Sequence, residues 1–285
     1  MKISLLPALV LLPALAAAAE LKKDIEYGRA GDIPLRLDVS VPDGPGPYPV
    51  AILVHGGGWS RGDKGGNPGD LADITPWFAP LTAAHFTWFS INYRLAPAHR
   101  WPACLDDVQT AIRWVKAHAA EFKGDPRRIA LFGHSAGGQL VCMAAVLAGE
   151  DTRVSAVVGC AAVTNHEQDL PQRGGLSTSL QALLDRPREI TPESRALLRE
   201  LSPLDHIHGG LPPFLLIHGD ADKTVPYRQS LDFQAALRAA GGVCDLITIP
   251  GAPHALQNWS KLDPGYEGRM VAWLRAHLGA PATGD

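Results

Sequence analysis

Residues 130–140, ALFGHSAGGQL, place one serine among residues chosen for smallness. Gly133, Ala136, Gly137 and Gly138 crowd around Ser135, directly after the apolar run Ile129-Ala130-Leu131-Phe132. On the plainer reading a buried strand ends, the chain turns, and small residues let a helix pack closely. The other reading makes Ser135 a nucleophile held on a strained strand-to-helix turn. Gly133-His134-Ser135-Ala136-Gly137 fits G-x-S-x-G in that context. The turn has neither the lysine and following hydroxyl of a phosphate loop nor the spacing of a dinucleotide fingerprint.

A serine hydroxyl needs a base to take its proton, and the base needs a carboxylate to orient it. On a strand-helix sheet of this kind the chain order is serine, acid, histidine. PFLLIHGDADKTVPY (213–227) offers a late strand followed by Asp220 and Asp222, and CDLITIPGAPHALQNW (244–259) then offers His254 on a Gly/Pro loop. Asp220 follows the strand glycine directly and suits turn capping, whereas Asp222 lies further out, where it could bend toward His254. His218, inside a strand end, and His277, in a terminal helical pattern, fit the base less well. Acyl transfer also needs donors for an oxyanion. LVHGGGWSRGDK (53–64) supplies a second glycine-rich turn after an early strand, making the amides of Gly57, Gly58 and Ala136 the candidates.

The rest of the chain fits this frame. From about Leu35, short β-rich runs (LRLDVSV, VAILVH, FTWFSINY, IALFG, AVVGCAAV, FLLIHG, CDLITIP) alternate with helical patterns. Most of these runs are apolar throughout, as strands buried on both faces are. The pattern predicts an α/β fold with a mainly parallel central sheet and helices on both faces. Residues 164–213 break the rhythm with proline, glycine and charge, and are expected to form a small lid-like insertion.

Composition narrows the class. The 285 residues are 46% hydrophobic, enough for a full core, and the formal net charge of −3 comes with no basic block, which argues against a nucleic-acid partner. Eleven histidines occur without HExxH or paired CxxC spacing, so neither a metal nor another cofactor is implied. Residues 1–19, MKISLLPALVLLPALAAAA, carry one lysine, an apolar middle and an Ala-x-Ala end, and read as a signal peptide. The apolar stretch is shorter than the roughly 20 residues a membrane span needs. A mature domain over 20–285, secreted or periplasmic and without stable membrane insertion, is expected. Cys104, Cys142, Cys160 and Cys244 are read as buried thiols rather than bridges, and no oligomeric state is legible.

With these pieces in order, the chain resembles the α/β-hydrolases, in particular carboxylesterases related to bacterial hormone-sensitive lipase and their compact secreted branch with feruloyl and acetylxylan esterase-like members. HGGGW, NYRLAPAHRWPACLDDVQTAIRW, GHSAGG, HGDADKTVPY and PGAPHAL carry the likeness. The resemblance implies Ser135 as nucleophile, His254 as base and Asp222, rather than Asp220, as the orienting acid. It implies a structural role for NYRLAP and a supporting one for Asp107. The chain departs from hormone-sensitive-lipase relatives in lacking room for an N-terminal helical cap. HGDADKTVPY is also similar to the end of prolyl-oligopeptidase domains, which carry a propeller this chain has no room for.

The implied reaction is hydrolysis of small or carbohydrate-linked carboxylic esters, acetyl or feruloyl in type. The same residues could serve a peptidase or amidase, and a non-catalytic binding protein on a hydrolase scaffold is a third reading. Trp59 and Trp259 adjoin the proposed site loops and are expected to form part of the substrate surface.

Overall fold

The fold is described from a computed structural model, which describes residues 19–67, 70–71 and 73–279. Residues 1–18, nearly all of the expected signal peptide, lie outside the described residues. Among the described residues, no helix is long and apolar enough to cross a membrane.

Eight strands form one sheet: β1 (Glu20–Ala30), β2 (Ile33–Val41), β3 (Tyr48–Val54), β4 (Thr87–Ile91), β5 (Gly124–His134), β6 (Ala156–Cys160), β7 (Phe214–Gly219) and β8 (Cys244–Ile249). Their order is β1-β2-β4-β3-β5-β6-β7-β8. The β1–β2 and β2–β4 pairs are antiparallel and all the others parallel. The helices are α1 (Phe78–Ala83), α2 (Ala103–His118), α3 (Ala136–Val146), α4 (Leu170–Arg173), α5 (Thr178–Leu184), α6 (Pro192–Glu200), α7 (Arg228–Ala239), α8 (Trp259–Leu262) and α9 (Tyr266–His277).

Successive side chains of a strand point to opposite faces, so a strand buried on both sides must be apolar at every position. Strand β3 shows this directly. Val50, Ile52 and Val54 join the core beneath α2, α3 and α7, while Ala51 and Leu53 join a second core beneath α1, α8 and α9. Burying each such side chain stabilises the fold by about 1.5–3 kcal/mol. The sheet is therefore a partition between two apolar layers, with the loops at its carboxyl edge left to carry polar chemistry.

Strand β1 carries no hydrophobic pattern in its sequence, because ELKKDIEYGRA is mostly charged. It is an exposed edge strand, and charge on an edge discourages pairing with another chain. The four cysteines are free and buried. Burial pushes the Cys104 thiol up to about 12.

Residues 164–213 hold α4, α5 and α6. They are anchored by Leu170, Leu176, Leu180, Leu183, Leu198 and Leu201, all buried in the larger core. Gln139 Nε2 donates to Leu201 O at 2.8 Å, and Trp101 N to Leu183 O at 3.1 Å. Thr164 Oγ1 donates to Gln229 O at 2.9 Å. The segment forms one wall of the cavity described next.

Candidate active site

Ser135 stands between the last residue of β5 and the first of α3, with φ 56° and ψ −117°. A non-glycine residue rarely adopts such a backbone, and the surroundings show what holds it there. A Cβ on Gly133 would come within 2.1 Å of Gly137 O, and one on Gly137 within 2.2 Å of Val54 O. Only glycine lets β5, the turn and α3 approach so closely. Ser135 N donates to Cys160 O at 2.9 Å, and Gln139 N to Ser135 O at 2.9 Å, which locks the turn. Ser135 lines a cavity of about 310 Å³ with Gly58, Trp59, Ala136 and His166, and among the described residues its hydroxyl has no hydrogen-bond partner.

The acid and the base meet across two loops. His254 Nδ1 donates to Asp222 Oδ2 at 2.7 Å, with both residues buried. That hydrogen bond leaves Nε2 of His254 as the nitrogen available to take a proton. Asp222 Oδ1 accepts from the main-chain N–H groups of Thr224 (2.7 Å) and Val225 (2.9 Å). A second imidazole, His218, donates from Nε2 to Asp222 Oδ2 at 3.2 Å and shares that proton with Val225 O at 3.0 Å. Burial alone would raise the carboxyl, but the hydrogen bonds from His218 and His254 outweigh it and hold Asp222 well below the usual carboxylate range. Asp220 takes the turn-capping role, accepting from Gly251 N at 2.6 Å.

His254 is brought to the serine turn by the residue beside the serine. His134 Nε2 donates to His254 O at 2.9 Å, and the two rings lie 4.7 Å apart. His134 is fully buried; burial, then the neighbouring His254, pushes its imidazole down to about 3, so it is neutral.

The glycine-rich loop after β3 sits against the same cavity. Gly57 and Gly58 have φ of 101° and 58°, and a Cβ on Gly57 would strike Arg61 O at 2.2 Å. The main-chain N–H groups of Gly57, Gly58 and Ala136 find no acceptor among the described residues. Gly58 and Ala136 line the cavity; Gly57 is not among its lining residues. The loop is tied down on both sides. Tyr93, from NYRLAP, donates to His55 O at 3.0 Å and stacks on the His55 ring at 4.4 Å. Arg94 beside it is clamped by Asp107, with Nη2 to Oδ1 at 2.8 Å. Further on, Lys64 is buried between Asp38 and Asp24, its Nζ 2.9 Å from an oxygen of each. Burial pulls the ammonium down, but the two carboxylates outweigh it and hold it above its usual range.

Trp59 lies in the cavity wall, tilted against His166 at 5.5 Å, and its Nε1 donates to Gln139 Oε1 at 3.0 Å. Trp259 corrects the expectation that it faces substrate. It is fully buried, donates from Nε1 to Pro253 O at 2.8 Å and packs edge-on against Tyr266. Its place at the start of α8 points it into the second core rather than the cavity.

Sequence reasoning missed the supporting residues: His218, His134, Gln139 and Lys64. His218 sat in a run that reads as plain strand, and only the register of β7 against the Asp222 loop turns its ring onto the carboxylate. Among the described residues, no cluster of three or more His, Cys, Asp or Glu could hold a metal ion.

The chain is similar to several esterases. Esterase LipC of Mycobacterium tuberculosis is 35% identical over 73% of this chain and 53% of its own length, and esterase LipQ of the same organism 33% identical over 92% and 61%. The chain thus spans between half and two thirds of these relatives. Carboxylesterase NlhH, also from Mycobacterium tuberculosis, is 31% identical over 91% of this chain and 83% of its own. Among solved structures, a truncated carbohydrate esterase from gut microbiota superposes with a TM-score of 0.77 at 25% identity, covering 93% of this chain and 99% of the other. An acetyl ester-xyloside bifunctional hydrolase from Caldicellulosiruptor lactoaceticus shares the fold, with a TM-score of 0.73 at 24% identity over 92% and 97%. The fold is that of the α/β-hydrolase esterases, and since the BD-FAE family model matches residues 37–237, from within β2 to within α7, the chain belongs to that family.

Proposed function

We propose that this chain is an exported serine carboxylesterase acting on small or carbohydrate-linked carboxylic esters, acetyl or feruloyl in type. The observation that carries the reading is the buried Asp222–His254 hydrogen bond of 2.7 Å, in a loop that His134 ties to the strained Ser135 turn. In this reading Ser135 Oγ attacks the ester carbonyl while His254 Nε2 takes its proton. The developing oxyanion is held by the N–H groups of Gly57, Gly58 and Ala136, where each lost donor costs about 3–4 kcal/mol of barrier. His254 then gives its proton to the leaving alcohol, and water repeats the sequence on the acyl-enzyme to release the acid and free Ser135. Asp222 stays ionised throughout and steadies the imidazolium.

The names of the relatives and structural neighbours, esterases and carbohydrate esterases, support the bond and the substrate class. The cavity walls support it too, since His166, Arg173, Ser177 and Ser179 offer hydrogen bonds that a long alkyl chain could not use. Export rests on the reading of residues 1–19. The test is parallel hydrolysis of acetylated xylan, methyl ferulate and p-nitrophenyl esters of increasing chain length, with Ser135→Ala as blank. The expected result is turnover of short or carbohydrate-linked esters that falls by about 10⁴-fold or more in the variant. Full turnover by a folded Ser135→Ala protein overturns the assignment.

A further inference from the structure

The cavity over Ser135 does not end at its own walls. A second cavity of about 320 Å³ adjoins it, lined by Gln168, Gln172, Lys223 and Arg228 among others, and the two share Arg173 and Thr224. Arg173 stands at the boundary: its Nη2 donates to Thr224 O at 3.1 Å and lies 3.4 Å from Asp169 Oδ2. Among the described residues, its Nε and Nη1 have no acceptor.

The charges around the second cavity do not cancel. Asp169 is faced by Arg173 and also accepts from Gln229 Nε2 at 3.2 Å. Arg228 is paired with Asp232 at 2.6 Å. Among the described residues, Lys223, one residue beyond Asp222, has neither an ion pair nor a hydrogen bond, so its ammonium and the spare guanidinium donors of Arg173 are left for a ligand. Beside them, in the first cavity, His166 is buried, and its Nε2 has no hydrogen-bond partner among the described residues. Burial, then the charge of Arg173, pushes its imidazole down to about 3, so the positive charge at this boundary belongs to Arg173.

We propose that the second cavity is a subsite for a carboxylate carried by the ester substrate, bound by Lys223 and Arg173, so that the enzyme prefers acidic esters to neutral ones of the same size. The inference rests on the ester-hydrolase reading and specifies the substrate class of that site. A carboxylate could reach the subsite from the acyl side, as in half-esters of dicarboxylic acids, or from the alcohol side, as in an acylated uronic acid.

The experiment measures kcat/KM for matched pairs at low ionic strength. In one arm p-nitrophenyl half-esters of four- to eight-carbon dicarboxylic acids are compared with the p-nitrophenyl alkanoates of equal length. In the other, acetylated methyl glucuronoside is compared with acetylated methyl glucoside. The acidic member is expected to be favoured by about tenfold or more in one arm, which identifies the side that carries the acid, with the preference shrinking as salt is added. Lys223→Gln and Arg173→Gln should each bring the ratio toward one, and Lys223→Glu should invert it. Lys223 is exposed, so its variants remain informative if Arg173→Gln misfolds. Neutral esters turned over as well as acidic ones in both arms, or a preference indifferent to both lysine variants, overturns the subsite while leaving the esterase reading intact. No turnover of any ester overturns both.

Discussion

His134 donates its Nε2–H to the main-chain carbonyl of His254 across 2.9 Å, so the residue preceding the serine anchors the loop that carries the base. A carbonyl can only accept, which places the ring proton on Nε2 and leaves Nδ1 buried without a partner. Removing the ring frees the loop. His134→Ala is expected to lower kcat by about 100-fold with KM little changed, the size of effect an ångström of misplacement produces. His134→Gln, which keeps a donor, should recover part of it. Wild-type kcat in a folded His134→Ala protein would show that the loop is held by other contacts.

His218 and His254 share one oxygen of Asp222. Losing the His218 donor leaves that oxygen to His254 alone and loosens the carboxylate that orients the base. His218→Ala should therefore lower kcat by about tenfold or more with KM little changed, and reduce stability by about 1–3 kcal/mol for the buried Val225 carbonyl left unpaired. A purely structural role for His218 predicts lower stability with kcat unchanged in the folded variant, which steady-state kinetics and denaturant unfolding on the same variant would separate.

Gly137 is required by space, since a Cβ there would lie 2.2 Å from Val54 O and 2.4 Å from His55 O. These are main-chain atoms at the carboxyl end of β3 and just beyond it, and they cannot swing aside. Gly137→Ala should destabilise the protein by about 3 kcal/mol or more and abolish activity through the displaced Ser135 turn. A loss under about 1 kcal/mol by denaturant unfolding would mean that the turn yields more easily than its packing indicates.

Three fully buried imidazoles link folding to pH. Burial is the leading cause that pushes His55 down to about 4 and His134 and His166 down to about 3. Each is neutral when folded but takes a proton below its ordinary range, near 6.5, once unfolded. The unfolded state therefore binds more protons between about pH 6.5 and 4, and stability falls as pH falls through that window. Each imidazole contributes a slope of up to about 1.4 kcal/mol per pH unit. Denaturant midpoints at pH 7, 6 and 5 should decline steadily, and replacing His166 with Gln should flatten the decline. A midpoint constant across that range would refute the linkage.

The sequence by itself determined most of the sheet and the order in which Ser135, Asp222 and His254 stand along the chain. Runs such as VAILV and FLLIHG are apolar at every position because both faces of their strands are covered, and that constraint is local enough to read. The small residues around Ser135 were legible for a similar reason, since a close approach of backbones leaves its mark as glycine at Gly133 and Gly137. Tertiary structure decided what depends on direction. Trp59 and Trp259 look alike beside their loops, yet one faces the cavity and the other the core, because helix register and not sequence distance aims a side chain. Strand β1 stayed hidden because an edge exposed to water carries no hydrophobic signature. The links from His134 to His254 and from Gln139 to both Trp59 and Leu201 join residues from separate elements. Such bonds exist only once the layers have packed, and no local pattern of residues records them.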